Sequence, residues 1–391
     1  MLRIPFHKPL VLGKEISLIA RILAERQISG DGHFTKACAR FLEERFHIQK
    51  ILMTPSCTGA LEMAAWLCGL QTGNEVIMPS FTFVSTANAV VRSGATPVFV
   101  DVRPDTLNID EKLIEQAVTP RTRAIIPVHY AGVACEIGPI NEIAERHGLY
   151  VIEDAAQSID SFYNGGALGS MGHLGAYSFH DTKNVTCGEG GALCINHPDL
   201  LGRAEIIRDK GTNRKEFFRG EVDKYHWVDV GSSYVPSEIL CAFLYAQLEQ
   251  IDAITARRRA IYEFYRSHLK PLEEEGSLIL PTIPQHCRSN YHTFFVLLSD
   301  RMTRDGLISH LRAQGIGAAF HYVPLHTSPM GRKFGYEEGD LPLTENLSER
   351  LLRLPLYHEL TEGNQEEVVK AVSQFLQAHR SRSNRSVSPV V

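Results

Sequence analysis

The run Ser178-Phe179-His180-Asp181-Thr182-Lys183-Asn184 closes a short strand-like stretch and leads into Cys187-Gly188-Glu189-Gly190-Gly191. Lys183 therefore stands between a strand end and a glycine-rich loop, a place where a lysine can be buried. Burial disfavours the ammonium form, and the freed amine attacks an aldehyde to make a Schiff base. The plainer reading is a solvated surface lysine, which fits most lysines, so the neighbours must decide. Asp154 closes the apolar run Tyr150-Val151-Ile152. A carboxylate there emerges at the ligand-binding edge of a sheet and would hold the proton on a pyridine nitrogen, as an electron-sink cofactor requires. Gln157, three residues on, would bond the phenolic oxygen of the same ring. On this motif alone, an N-cap aspartate is the stronger reading.

Thr58 and Gly59 open the helical stretch Ala60-Leu61-Glu62-Met63-Ala64-Ala65 directly after a strand. The free N–H groups of a helix start favour an anion, and a glycine lets a phosphate approach the backbone. Thr58 is equally well an ordinary N-cap. Phe83, after the run Glu75-Val76-Ile77-Met78, is either a platform for a stacked ring or a core aromatic.

These residues sit on a regular alternation. Apolar runs at Ile51-Leu52-Met53, Glu75-Val76-Ile77-Met78, Pro97-Val98-Phe99-Val100, Ala124-Ile125-Ile126-Pro127-Val128 and Tyr150-Val151-Ile152 are separated by amphipathic helical stretches. That pattern predicts an α/β fold with a mainly parallel sheet covered on both faces, where ligands lie beyond the carboxyl ends of the strands. A long helical pattern from Glu238 to Tyr265 marks a crossover out of the sheet. Residues 1–250 are expected to form the large domain with an N-terminal arm, and 251–379 a smaller α+β domain. In the latter, a strand is expected at Tyr291–Val296, another near Ala318–Phe320, and helices near 303–314 and 363–378. The Ser- and Arg-rich residues 380–391 are expected to be disordered.

Bulk composition narrows the function classes. The 391 residues are 44% hydrophobic and 22% charged with a net charge of -5, an ordinary globular mixture without the basic face that nucleic-acid binding needs. Length alone favours two domains, or one large α/β domain with a smaller appendage, since single cores stop growing near about 250–300 residues. Eight cysteines are scattered without a C-x-x-C pair, which suits neither a zinc site nor a disulfide scaffold, so no metal is expected. The charged, proline-broken N-terminus is neither a signal peptide nor an anchor. A cytoplasmic enzyme acting on small molecules is the expectation.

Taken in order, Thr58-Gly59, Phe83, Asp154-Ala155-Ala156-Gln157, Ser178 and Lys183 resemble the fingerprint of the DegT/DnrJ group of sugar aminotransferases. The likeness extends from Ser29-Gly30-Asp31-Gly32 to Phe320-His321-Tyr322-Val323-Pro324-Leu325-His326. It implies the aspartate-aminotransferase-like fold, fold type I of the enzymes that use pyridoxal 5'-phosphate, and a cycle that passes through pyridoxamine 5'-phosphate. The resemblance makes Lys183 the Schiff-base lysine and proton carrier. It sets Asp154 on the pyridine nitrogen, Gln157 on the phenolic oxygen, Phe83 against the ring, Thr58, Gly59 and Ser178 on the phosphate, and Tyr322 and His326 at the substrate. Within the group, Gly211-Thr212-Asn213-Arg214, Phe217-Phe218-Arg219-Gly220 and Asp229-Val230-Gly231-Ser232-Ser233-Tyr234 are most similar to the dTDP-4-amino-4,6-dideoxygalactose transaminase branch. That branch implies dTDP-4-keto-6-deoxyglucose as acceptor, L-glutamate as donor and a homodimer with shared active sites. Many relatives carry Asn where this chain has Ser233, and that residue reaches the cofactor phosphate of the neighbouring subunit. A sugar 3-dehydratase of the group has histidine in place of the lysine, so Lys183 speaks against it. A 3-amino sugar transaminase and a cofactor-binding regulatory protein are the remaining alternatives.

Overall fold

The computed structural model describes residues 2–386. In chain order the strands are β1 (Lys50–Thr54), β2 (Glu75–Pro79), β3 (Thr96–Val100), β4 (Thr122–Ile125), β5 (Tyr150–Asp154), β6 (Phe162–Tyr163), β7 (Gly166–Ala167), β8 (Leu174–Ser178), β9 (Gly191–Ile195), β10 (Cys287–Arg288), β11 (Phe294–Leu297) and β12 (Leu351–Leu354). Seven of them form one sheet in the order β1-β9-β8-β5-β4-β2-β3, parallel except for β9, which runs against both its neighbours. Each of the five apolar runs became a strand of this sheet, buried along most of its length, with β3 half-buried at Thr96 and Val98 and β4 exposed at Arg123. Ile51 and Met53 of β1 join one apolar cluster while Leu52 joins the other, the two-residue alternation of a pleated strand between two helical layers.

One expected strand is cut short. The run 124–128 ends as β4 at Ile125 because Pro127 has no N–H to give to a ladder, and pairing with β5 resumes only as the single bridge Val128↔Asp154.

The helical pattern over 238–265 is two helices, Glu238–Leu248 and Ile251–Glu274, separated by a turn in which Gln250 leaves helical geometry (φ -113, ψ 13). Beyond the turn the chain builds a second core around β11 and β12, which pair antiparallel and carry the helices Arg301–Ala313 and Glu362–Ser386. The strand expected near Ala318–Phe320 is only a bridge, Ala319↔Arg353.

Two expected boundaries shift. Ile4 is fully buried in this second core and bridges to Ile316, so the start of the N-terminal arm packs with the smaller unit, while Leu10 joins a core of the larger one. The last helix continues through residues 380–386, where disorder was expected, and Arg380 pairs with Glu275 at 2.9 Å. The rest of the expected tail, 387–391, lies outside the described residues.

Candidate active site

The parallel strands deliver their carboxyl ends to one edge. Thr54 of β1 and Ser178 of β8 both face Gly191, the first residue of β9. A Cβ on Gly191 would collide with the Ser56–Cys57 peptide, so this glycine lets the helix Cys57–Leu67 begin directly over the sheet edge. Its cap is Ser56, whose Oγ accepts the Gly59 N–H at 3.1 Å. The N-cap reading of Thr58 is thereby removed, and the Thr58 hydroxyl bonds Ser85 Oγ at 2.8 Å instead. First-turn amides such as those of Cys57 and Thr58 have no intrahelical acceptor, which is the condition for anion binding. Gly59 has a packing reason: a Cβ there would lie 3.0 Å from the Tyr234 ring.

A cavity of about 500 Å³ opens above this edge and is closed on the far side by the smaller unit. Thr58, Phe83, Asp154, Gln157, Ser178, Lys183 and Tyr322 all line it. Phe83 is 57% exposed and starts the helix Val84–Arg92, which rules out the core reading of that ring. The same helix supplies Thr86, whose Oγ1 donates to Asp154 Oδ2 at 2.7 Å; the Ala156 N–H donates to Oδ1 at 3.2 Å. Asp154 caps no helix, because the chain after it turns into the small strand β6. It is 5% exposed, and burial raises its carboxyl pKa against the pull of these two donors and of Lys183. Burial likewise lowers the pKa of the Lys183 ammonium, with the Asp154 carboxylate acting in the opposite direction. Gln157 accepts the Ala131 N–H at 2.7 Å and donates from Nε2 to Tyr322 Oη at 3.0 Å, which leaves its second amide N–H for a ligand.

This donor set fits pyridoxal phosphate. A desolvated carboxylate with no ion pair meets a pyridinium, an amine with lowered pKa meets an aldehyde, and two hydroxyls with a helix start meet a phosphate.

Three expected residues lie elsewhere. Gly59, expected on the phosphate, is buried, does not line the cavity and gives its N–H to the Ser56 cap. His326, expected at the substrate, is fully buried away from the cavity: Nδ1 meets Ser80 Oγ at 2.7 Å and Nε2 meets Glu345 Oε1 at 2.8 Å, so both ring nitrogens are engaged in holding a loop. Ser233 is exposed, bridges to Asp209 and does not line the cavity of its own chain. Conversely, Thr86, Arg258, His292 and Arg353 line the cavity without having been singled out. Arg353 had a local signal, a charge inside the apolar run Leu351-Leu352-Arg353-Leu354; the others had none. Among the described residues no group of His, Cys, Asp and Glu could hold a metal ion, and no helix is long and apolar enough to cross a membrane.

Residues 12–373 match the DegT/DnrJ/EryC1/StrS aminotransferase family. The chain is 32% identical over 380 residues to the spore coat polysaccharide biosynthesis protein SpsC of Bacillus subtilis, covering 94% of this chain and 96% of that protein. It superposes with TM-score 0.85 and 32% identity on S. venezuelae DesV, solved in complex with a ketimine intermediate, over 93% of this chain and 94% of that one. The fold also matches the PLP form of the sugar aminotransferase Spr1654 from Streptococcus pneumoniae, described as putative, at TM-score 0.88 and 24% identity, over 96% of this chain and 99% of that one.

Proposed function

The chain belongs to the DegT/DnrJ/EryC1/StrS aminotransferase family and is a pyridoxal-phosphate-dependent sugar aminotransferase, and from this premise we propose that it moves the amino group of L-glutamate to the C4 ketone of dTDP-4-keto-6-deoxyglucose. The observation that carries the chemistry is Asp154, buried without an ion pair in the same cavity as the desolvated Lys183 amine. Bound there, the cofactor supplies an electron sink for the carbon that gains or loses the amino group. Lys183 takes and returns the proton at that carbon, since its amine is already biased to the neutral form. Asp154 keeps the ring-nitrogen proton in place, Gln157 orients the ring through its free N–H, and Phe83 offers an exposed face. Thr58 and Ser178, with the first turn of the helix Cys57–Leu67, hold the phosphate. Tyr322, tied to Gln157, stands on the substrate side.

The nucleotide-sugar acceptor is favoured by the segments around Gly211–Arg214 and Asp229–Tyr234 and by the polysaccharide role named for SpsC. A homodimer is favoured by the large apolar groups exposed around Ser233, among them Phe218 at 69%, Trp227 at 81% and Val230 at 56%. Ser233 would then meet the partner's cofactor phosphate. Cytoplasmic residence agrees with eight free cysteines, none paired in a disulfide. NMR of the product formed from dTDP-4-keto-6-deoxyglucose and L-glutamate tests the reading: a 4-amino-4,6-dideoxy sugar is expected. An amine at carbon three, or no amino sugar, would replace it.

A further inference from the structure

Beyond Lys183, the cavity carries positive charge that the reading above leaves unused. Lys183, Arg258 and Arg353 line it, against Asp154 as the buried carboxylate and Glu189 exposed at the rim. Arg353 is the one polar residue of β12, with Leu351, Leu352 and Leu354 buried around it. Its Nη2 donates to the Phe320 carbonyl at 3.1 Å, and its guanidinium lies over the Phe6 ring, 4.8 Å from the centroid. Its Nε is buried and has no partner. Arg258, 5% exposed, donates only to carbonyls: Nε to Tyr291 at 3.1 Å and Nη2 to His292 and Leu356. No carboxylate acts on either guanidinium, and burial lowers both pKa values, that of Arg258 to about 9.

Two desolvated guanidinium groups without an anion are unfavourable for the unliganded protein, and a bound anion relieves that cost. The planar fork of arginine matches a carboxylate in bidentate fashion. The cofactor phosphate already has its own seat at the helix Cys57–Leu67, so a second anion is called for. An α-amino acid brings one next to the amino group it surrenders. Arg353 also acts electrostatically on Lys183, the residue that handles the donor's proton.

We propose that Arg353, backed by Arg258, forms the subsite for the carboxylate of the amino donor, an assignment that rests on the aminotransferase reading above. Glutarate, a dicarboxylate with no amino group to transfer, probes it without turnover. In calorimetric titration of the holoenzyme, Arg353→Leu is expected to weaken glutarate binding about tenfold or more, the loss of a charge-assisted pair. Arg353→Lys keeps the charge but not the fork and should fall between the two. Inorganic pyrophosphate binding should not change, and in single turnovers the leucine variant should raise the apparent Kd for L-glutamate while sparing the acceptor half-reaction. An unchanged circular dichroism spectrum shows that each variant is folded. Failure of the wild type to bind glutarate, or equal affinity in wild type and Arg353→Leu, overturns the subsite. So does selective loss of pyrophosphate binding, which would assign Arg353 to the acceptor's diphosphate. Arginine-dependent glutarate binding without any reaction of L-glutamate keeps the subsite and removes glutamate as donor.

Discussion

Glu153 and Asp154 are neighbours on β5, and the pleat sends their side chains to opposite faces of the sheet. On one side Glu153, fully buried, accepts N–H groups of Gly169, Met171 and Gly172 at 2.8, 2.6 and 2.6 Å and meets His129 Nε2 at 2.9 Å. On the other side Asp154 has two donors and a cavity. Nearly equal burial thus yields different roles. A carboxylate whose acceptor sites are filled by its own chain pins a loop, whereas one left short of donors beside a cavity is available to a ligand. The same contrast separates His326, bonded at both nitrogens inside the fold, from Tyr322 on the cavity wall four residues earlier.

The severest test of the cavity side is Lys183→Ala, which should abolish turnover while leaving the fold intact. Loss of the proton carrier alone is worth about 10²–10⁴-fold. In the wild type, borohydride reduction and peptide mapping should place the cofactor label on Lys183; a label on another lysine breaks the assignment. Next comes Asp154→Asn, expected to retain cofactor but to lose about 10²–10³-fold in kcat, because an amide no longer fixes the ring-nitrogen proton. Near-normal kcat would move Asp154 to the side of Glu153. For Glu153→Gln the order reverses: stability should fall by about 2–3 kcal/mol, read from the urea midpoint, because an amide NH₂ now faces backbone donors. Its kcat should stay within a few-fold, and a turnover defect at unchanged stability would erase the contrast. Smallest is Ser233→Ala, which, on the homodimer proposed above, is expected to weaken cofactor retention by about 0.5–1.5 kcal/mol, the worth of one ordinary hydrogen bond. Sedimentation velocity at assay concentration checks its premise, since a fully active monomer would remove any role for Ser233 at the phosphate.

Much of the site was legible because it lies at strand ends. Asp154 and the helix start read at Thr58-Gly59 are a few residues from apolar runs that declare themselves by composition, so their place at the sheet edge could be expected from the strand pattern. Less legible was what each polar group touches. Thr58 and Ser56 are both good capping residues two positions apart, and only the packed helix shows that Ser56 takes the cap and frees Thr58 for the cavity. His326 belongs to the same resembling segment as Tyr322, yet its partners Ser80 and Glu345 come from 246 residues before it and 19 after it.

Apart from the cofactor roles that the family resemblance implied for Lys183, Asp154 and their neighbours, the sequence by itself determined the alternation of strands and helices and the polar residues that end the strands. These follow from local periodicity and from residue types read one segment at a time. The tertiary structure alone decided which buried polar groups remain unsatisfied. Asp154 came to lack an ion partner, Glu153 to fill its acceptors, and Arg353 to face the cavity without an anion, because hydrogen-bond partners are recruited from distant segments when the cores close.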